Sequence, residues 1–181
     1  MAEITVLDSG VRLITEKMEG VRSVSVGIWC DTGSVYEKPE EFGMSHYIEH
    51  MLFKGTETRS AFQIADEIDR IGGQMNAFTG KENTCFYIKS LDRHFGEIAD
   101  VLTDMIEHPA FDPQEMEREK QVVIEEINMN ADDPDDVALD SLESMMSRGS
   151  GLAHPVLGYK DTVSSFTRDM VTAYYYSHYT T

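Results

Sequence analysis

Gly43-Met-Ser-His46-Tyr-Ile-Glu49-His50-Met-Leu-Phe53-Lys-Gly55-Thr56 contains the pattern H-x-x-E-H. On an α-helix, residues four apart sit one turn above each other, so His46 and His50 can grip one ion from the same face. Glu49 lies between them in projection, close enough to act on a water bound to that ion. The order is the reverse of the H-E-x-x-H arrangement of zinc proteases and offers the same chemistry: two imidazoles for the metal and one carboxylate for proton transfer. The alternative is two solvated helix histidines. With only six histidines among 181 residues, chance rarely produces this spacing.

Bulk properties narrow the field. The length suits one domain with a core of its own. A net charge of −18 leaves no basic patch for a phosphate backbone, so no nucleic-acid partner is expected. A cleft fringed with carboxylates would instead attract basic peptides. Cys30 and Cys85 both fall in alternating strand-like runs, which predicts buried free thiols and a reducing compartment rather than a disulfide framework. Met1-Ala-Glu-Ile-Thr-Val-Leu-Asp-Ser-Gly10 has no basic leader and no long apolar run. The expectation is a cytoplasmic protein with no signal peptide, transit peptide or membrane span.

Around the motif helix, expected from about Gly43 to Phe53, the chain alternates hairpins and helices. Ile4–Leu7 and Val11–Ile14 flank a turn at Asp8-Ser-Gly10, and Ser23–Cys30 alternates as a third strand. Ser60 is a candidate N-cap for a helix ending at Gly72-Gly73, and 74–79 and 84–91 read as a second hairpin. Helices follow at 93–107, from Asp112-Pro113 to about Asn130, from Asp133-Pro134 to about Ser147, and from Thr167 to about Tyr179. Strands in hairpins beside segregated helices give an α+β fold with an antiparallel β-sheet and helices packed on one face.

Catalytic zinc takes three protein ligands and keeps one position for water. The best source of the third is the helix Glu115-Met-Glu-Arg-Glu119-Lys-Gln-Val-Val-Ile-Glu125-Glu126-Ile127. Met116, Val122, Val123 and Ile127 mark its buried stripe. Glu119 and Glu126 are seven apart and share a face near that stripe, whereas Glu125 points about a hundred degrees away. Helix geometry leaves Glu119 and Glu126 equally placed. His94, His108, His154 and His178 have no ligand-like spacing and read as surface or structural residues.

The chain resembles the pitrilysin/insulinase family of zinc metallopeptidases, the inverzincins, and most closely its mitochondrial-processing-peptidase branch. The resemblance rests on several motifs in the family's order. They are the hairpin start with Val11-Arg-Leu, the strand Ser23-Val-Ser-Val-Gly-Ile-Trp29, Glu41-Phe-Gly leading into His46-x-x-Glu49-His50-Met-Leu-Phe-Lys-Gly-Thr56, Ile71-Gly-Gly-Gln-Met-Asn76-Ala-Phe-Thr79, Glu117-Arg-Glu119 through Glu125-Glu126-Ile127, and His154-Pro155 with Leu157-Gly158. It implies the N-terminal-domain fold of LuxS and the processing peptidases. It also implies one Zn2+, held by His46, His50 and a glutamate 76 positions after the second histidine, which is Glu126. Glu49 becomes the general base and Glu119 a supporting acid. Asn76, Ala77 and Phe78 match the edge strand on which the family lays an extended peptide. Phe53 matches a position lining the pocket beside the cut, and Asp136 and Asp140 match acids that bind an arginine near it. Core packing is the plainer reading of Phe53 and Phe78, and dipole-favourable helix acids that of the two aspartates.

Family members run to more than twice this length, with similar αβ domains closing around substrate and a silent domain supplying an Arg/Tyr pair. The resemblance therefore implies that 1–181 is a single N-terminal catalytic domain short of its last strand and helix. An open sheet edge would invite self-association or a complementary domain or subunit. Three readings stand: a zinc endopeptidase for extended peptides or presequences, a zinc- and peptide-binding half-clamshell that does not cleave, and a subunit that needs a second domain or a complementary chain.

Overall fold

A computed structural model describes residues 1–179. Two antiparallel sheets are present where one was expected. Strands β1 (Glu3–Val6) and β2 (Arg12–Thr15) form a separate hairpin with Ile4 opposite Ile14, and every residue of both strands is exposed. The linker after it, Glu16 to Arg22, is exposed throughout, and its two large apolar residues, Met18 and Val21, face solvent and do not draw the hairpin onto the body. Strands β3 (Ser23–Cys30), β4 (Gln74–Thr79) and β5 (Thr84–Leu91) make the main sheet in the order β3–β5–β4.

Register decides which side chains meet the core. The rows Val26–Ile88–Met75 and Ile28–Phe86–Ala77 face inward, and the rows Gly27–Tyr87–Asn76 and Trp29–Cys85–Phe78 belong to the other face. Because side chains alternate along each strand, Phe78 lies outside the core: it is 43% exposed and meets Trp29 edge-on at 5.4 Å between ring centroids. Cys30 and Cys85 are both buried free thiols, as their runs suggested.

Helix α1 (Met44–Leu52) lies between β4 and the longest helix, α4 (Pro113–Asp132). Around them come α2 (Ala61–Arg70), α3 (Phe95–Glu107) against β3 and β5, α5 (Pro134–Met146), α6 (Lys160–Ser165) and α7 (Arg168–His178). The caps are those the sequence signals: Asp112 accepts the amides of Gln114 and Glu115 at 2.8 and 3.1 Å, and Asp133 accepts that of Asp135 at 2.9 Å. Helix α6 has no counterpart in the sequence reading, since its six residues bury only Val163 and show no periodicity. Val122, expected on the buried stripe of α4, is 43% exposed, because one residue rotates a helix by a hundred degrees away from buried Val123. Among the described residues, no helix is long and apolar enough to cross a membrane.

Helix α1 is the centre of the core. Met44, Ser45, Tyr47, Ile48, Met51 and Leu52 are buried, and His46, Glu49 and His50 are its only partly open residues. Burying each large apolar side chain contributes about 1.5–3 kcal/mol, so the helix is pinned by its hydrophobic faces. Hydrogen bonds fix its rotation further: the Tyr47 hydroxyl donates to the carbonyl of Met116 at 2.7 Å, and Ser45 Oγ meets the Tyr174 hydroxyl at 3.0 Å.

The segment leaving α1 is tied to α3 through Asp104, whose Oδ2 accepts from Thr56 Oγ1 (2.7 Å), Thr58 Oγ1 (3.0 Å) and Arg59 Nη1 (2.7 Å). Burial pushes this carboxyl up, but the bonds from Thr56, Arg59 and Thr58 outweigh it and hold it below the usual carboxylate range. A depressed folded pKa adds stability above the unfolded value near ~3.9 and loses it as pH falls through the folded value. Asp104→Asn should therefore cost about 1.5–3 kcal/mol in urea unfolding at pH 7, and the gap to wild type should shrink in acid.

Candidate metal centre

His46 and His50 lie one turn apart on α1, their rings meeting edge-on with centroids 4.7 Å apart. Opposite them, α4 brings Glu126, whose Oε2 lies 3.6 Å from His46 Nε2 and 3.4 Å from His50 Nε2. These three residues are the group of potential metal-binding side chains found among the described residues, one donor atom of each falling within 4.8 Å of the others. Zinc bound tetrahedrally at about 2.0–2.2 Å has donor–donor edges of roughly 3.3–3.6 Å, so the two spacings from Glu126 Oε2 fit the ion.

Glu119, two turns before Glu126, takes a different place. Its Oε2 lies 3.1 Å from His50 Nδ1, and its Oε1 lies 2.7 Å from Lys54 Nζ, with the Glu119 side chain 6% exposed. A carboxylate at Nδ1 favours the tautomer that carries its hydrogen there and leaves the Nε2 lone pair toward Glu126. Burial raises Glu119, but His50 and Lys54 outweigh it and hold it below its usual range. Burial lowers His50, but the bond to Glu119 and the charges of Glu126, Glu119 and Glu49 carry it above its ordinary value. His46 Nδ1 has no hydrogen-bond partner among the described residues: burial, then neighbouring His50, lowers the ring's pKa to about 4, so it is a neutral imidazole at pH 7, the form that binds a metal.

Glu49 stands on the open strip of α1 and accepts a hydrogen bond from Thr79 Oγ1 at the end of β4. Burial raises its pKa; the Thr79 bond and His50 oppose this, and Glu126 adds to it. A carboxylate of raised pKa beside a candidate metal site has the character of a general base.

The remaining expected residues divide. Phe53 closes α1, half-buried, 6.4 Å from Phe86 between ring centroids. Asn76 and Phe78 are exposed on β4, and Ala77 points to the core. Asp136 and Asp140 lie one turn apart on α5. Asp140 is raised by burial, opposed by Lys81, and raised again by Glu143 and Asp136, which makes an acidic group around the β4–β5 turn. His154, read as surface or structural, is 4% exposed and structural. Lys54 carried no role in the sequence reading, and Thr79 was read only as the end of the edge strand, not as a partner of Glu49. Lys54 follows His50 by one turn, and strand alternation puts Thr79 on the face of Ala77, so both signals were present in the spacing.

Residues 12–160 match the profile of the insulinase family, peptidase family M16. The chain belongs to this family. It is 49% identical over 172 residues to an uncharacterized zinc protease, YmxG, of Bacillus subtilis, covering 95% of this chain and 42% of that protein. It is 36% identical over 177 residues to a probable mitochondrial-processing peptidase subunit beta of Arabidopsis thaliana, covering 98% and 33%. The fold matches a protease from Helicobacter pylori with a TM-score of 0.92 at 20% identity, over 99% of this chain and 44% of that one. The chain thus spans about two fifths or less of the lengths of these curated relatives.

The Lys54–Glu119–His50 row can be probed without metal. Lys54→Met leaves the buried Glu119 carboxylate with His50 alone, and urea unfolding of the apo protein at pH 7 should lose about 1.5–3 kcal/mol. Glu119 is depressed in the fold, so this loss should fade as pH drops below the unfolded value near ~4.3.

Proposed function

We propose that this domain is a zinc-dependent endopeptidase unit in which His46, His50 and Glu126 hold one zinc ion and Glu49 is the general base. The observation that carries the reading is the convergence of three donor atoms within 4.8 Å of one another, Glu126 Oε2 lying 3.4 Å from His50 Nε2 and 3.6 Å from His46 Nε2, beside a carboxylate of raised pKa. An ion held by these three residues would supply Lewis-acid chemistry, activating water and polarising the scissile carbonyl. Glu49 takes the proton of the attacking water and returns it to the leaving amine. Thr79 holds Glu49 in place, and Glu119 orients His50.

An extended peptide fits the free edge of β4. Among the described residues that strand pairs with β5 alone, and its last residue, Thr79, bonds to Glu49, so a peptide added along it passes the base. Asn76, Ala77 and Phe78 supply this edge, Phe53 adds an apolar wall, and Asp136 and Asp140 favour a basic residue near the cut. Buried thiols at Cys30 and Cys85 support a reducing compartment, the cytoplasm.

A second reading, a half that needs self-association or a complementary domain to cleave, is favoured by α5. This helix buries no residue and turns Leu139, Leu142, Met145 and Met146 to solvent.

Zinc-loaded protein and a long unstructured basic peptide, with products read by mass spectrometry, test both. Cleavage is expected, with Glu49→Gln keeping zinc and losing about 10²–10⁴-fold in rate, and His46→Ala losing both zinc and cleavage. Intact peptide despite bound zinc favours the second reading. Zinc loss in Glu49→Gln contradicts the role given to Glu49.

A further inference from the structure

The metal helix begins on a buried carboxylate that no part of the site described above uses. Glu37 follows the short 3-10 turn Ser34–Tyr36, and its side chain is 0% exposed. Its Oε2 accepts the amide of Gly43 and its Oε1 that of Ser45, both at 2.7 Å. Gly43 is the N-cap of α1, so these are two of the first amides that the helix leaves without a partner. Charge-assisted bonds of this length are the strong kind, and a negative group suits a helix N-terminus.

The surroundings leave Glu37 and the helix start little freedom. Gly43 has φ +94, and a Cβ there would lie 2.6 Å from the carbonyl oxygen of Leu157; a Cβ on Gly158 would lie 2.2 Å from that of Phe42. The two glycines let loop 154–158 press on the backbone where α1 begins. His154 stacks on Phe42 with ring centroids 3.9 Å apart, and its Nε2 lies 3.5 Å from Glu37 Oε2. Lys81 holds the loop from the β4–β5 turn by donating to the His154 carbonyl at 2.5 Å.

We propose that Glu37 is a positioning residue for the metal centre: by fixing the amides of Gly43 and Ser45 it sets the rotation and height of α1, and so where His46, Glu49 and His50 point. This rests on the zinc reading above. The physical reason is leverage. His46 is one residue beyond Ser45, and a residue of slip turns the helix by a hundred degrees, so even a fraction of that moves Nε2 out of a donor set held to tenths of an ångström. Hydrophobic burial holds α1 in the core but tolerates small rotations; two directional bonds at one end do not.

Glu37→Gln keeps the shape but places an amide donor against one of the two backbone donors. Zinc affinity by chelator competition and the visible absorption of the cobalt(II)-loaded protein read ligand geometry, and far-UV circular dichroism reads the fold. Wild type must bind zinc; if it does not, the zinc reading itself fails. Given that binding, Glu37→Gln should fold, lose about tenfold or more in zinc affinity and change the cobalt spectrum at saturation. Glu37→Asp, which can still reach one amide, should fall between. Wild-type affinity and spectrum in a folded Glu37→Gln overturn the proposal. If Glu37→Gln does not fold, Glu37→Asp decides on the same readouts, and failure of both to fold makes Glu37 a stability residue and overturns the positioning role.

Discussion

The burial of α1 on all but one strip is the constraint on which the rest of this domain depends. A nine-residue helix is marginal alone in water, so it stands only because Met44, Tyr47, Ile48, Met51 and Leu52 are enclosed by the sheet, α4 and α7. The same enclosure leaves only the strip His46, Glu49 and His50 open. A metal site needs donors fixed to tenths of an ångström, and here the hydrophobic core holds the helix in place while the directional bonds of Tyr47, Ser45 and Glu37 fix its rotation.

Helix α4 then adds the complementary charge. Its two inward acids differ in depth: Glu119, with 6% of its side chain exposed, meets His50 Nδ1 and Lys54, while Glu126, 39% exposed, meets both Nε2 atoms. The deeper acid is neutralised by a lysine and orients a ring; the shallower one has no lysine partner and remains free to face a cation. β4 completes the arrangement by placing Thr79 on Glu49, which joins the sheet edge to the open strip of α1.

Much of this was legible in the chain itself. Four-residue spacing gave the pairing of His46 and His50, and Asp112-Pro113 and Asp133-Pro134 gave two helix starts because capping chemistry is local. Choosing between Glu119 and Glu126 was beyond helix geometry, since residues seven apart share a face and only the crossing of α1 over α4 separates their depths. Val122 was misplaced for a related reason, and Phe78 was left between an exposed edge strand and the core: which face of a strand or helix meets the core depends on neighbours distant in sequence. The detached β1–β2 hairpin and the buried Glu37 are likewise set by packing. Nothing in Glu37-Lys-Pro announces a carboxylate buried beneath a helix six residues on.

The most direct test is X-ray absorption at the zinc edge on protein loaded with one equivalent of zinc. Four light donors at about 2.0–2.2 Å, with the outer-shell scattering of two imidazoles, are expected from a site made of His46, His50, Glu126 and water. A shell with one imidazole or none, or zinc that spreads over surface carboxylates without a defined shell, would contradict the metal centre on which this account is built.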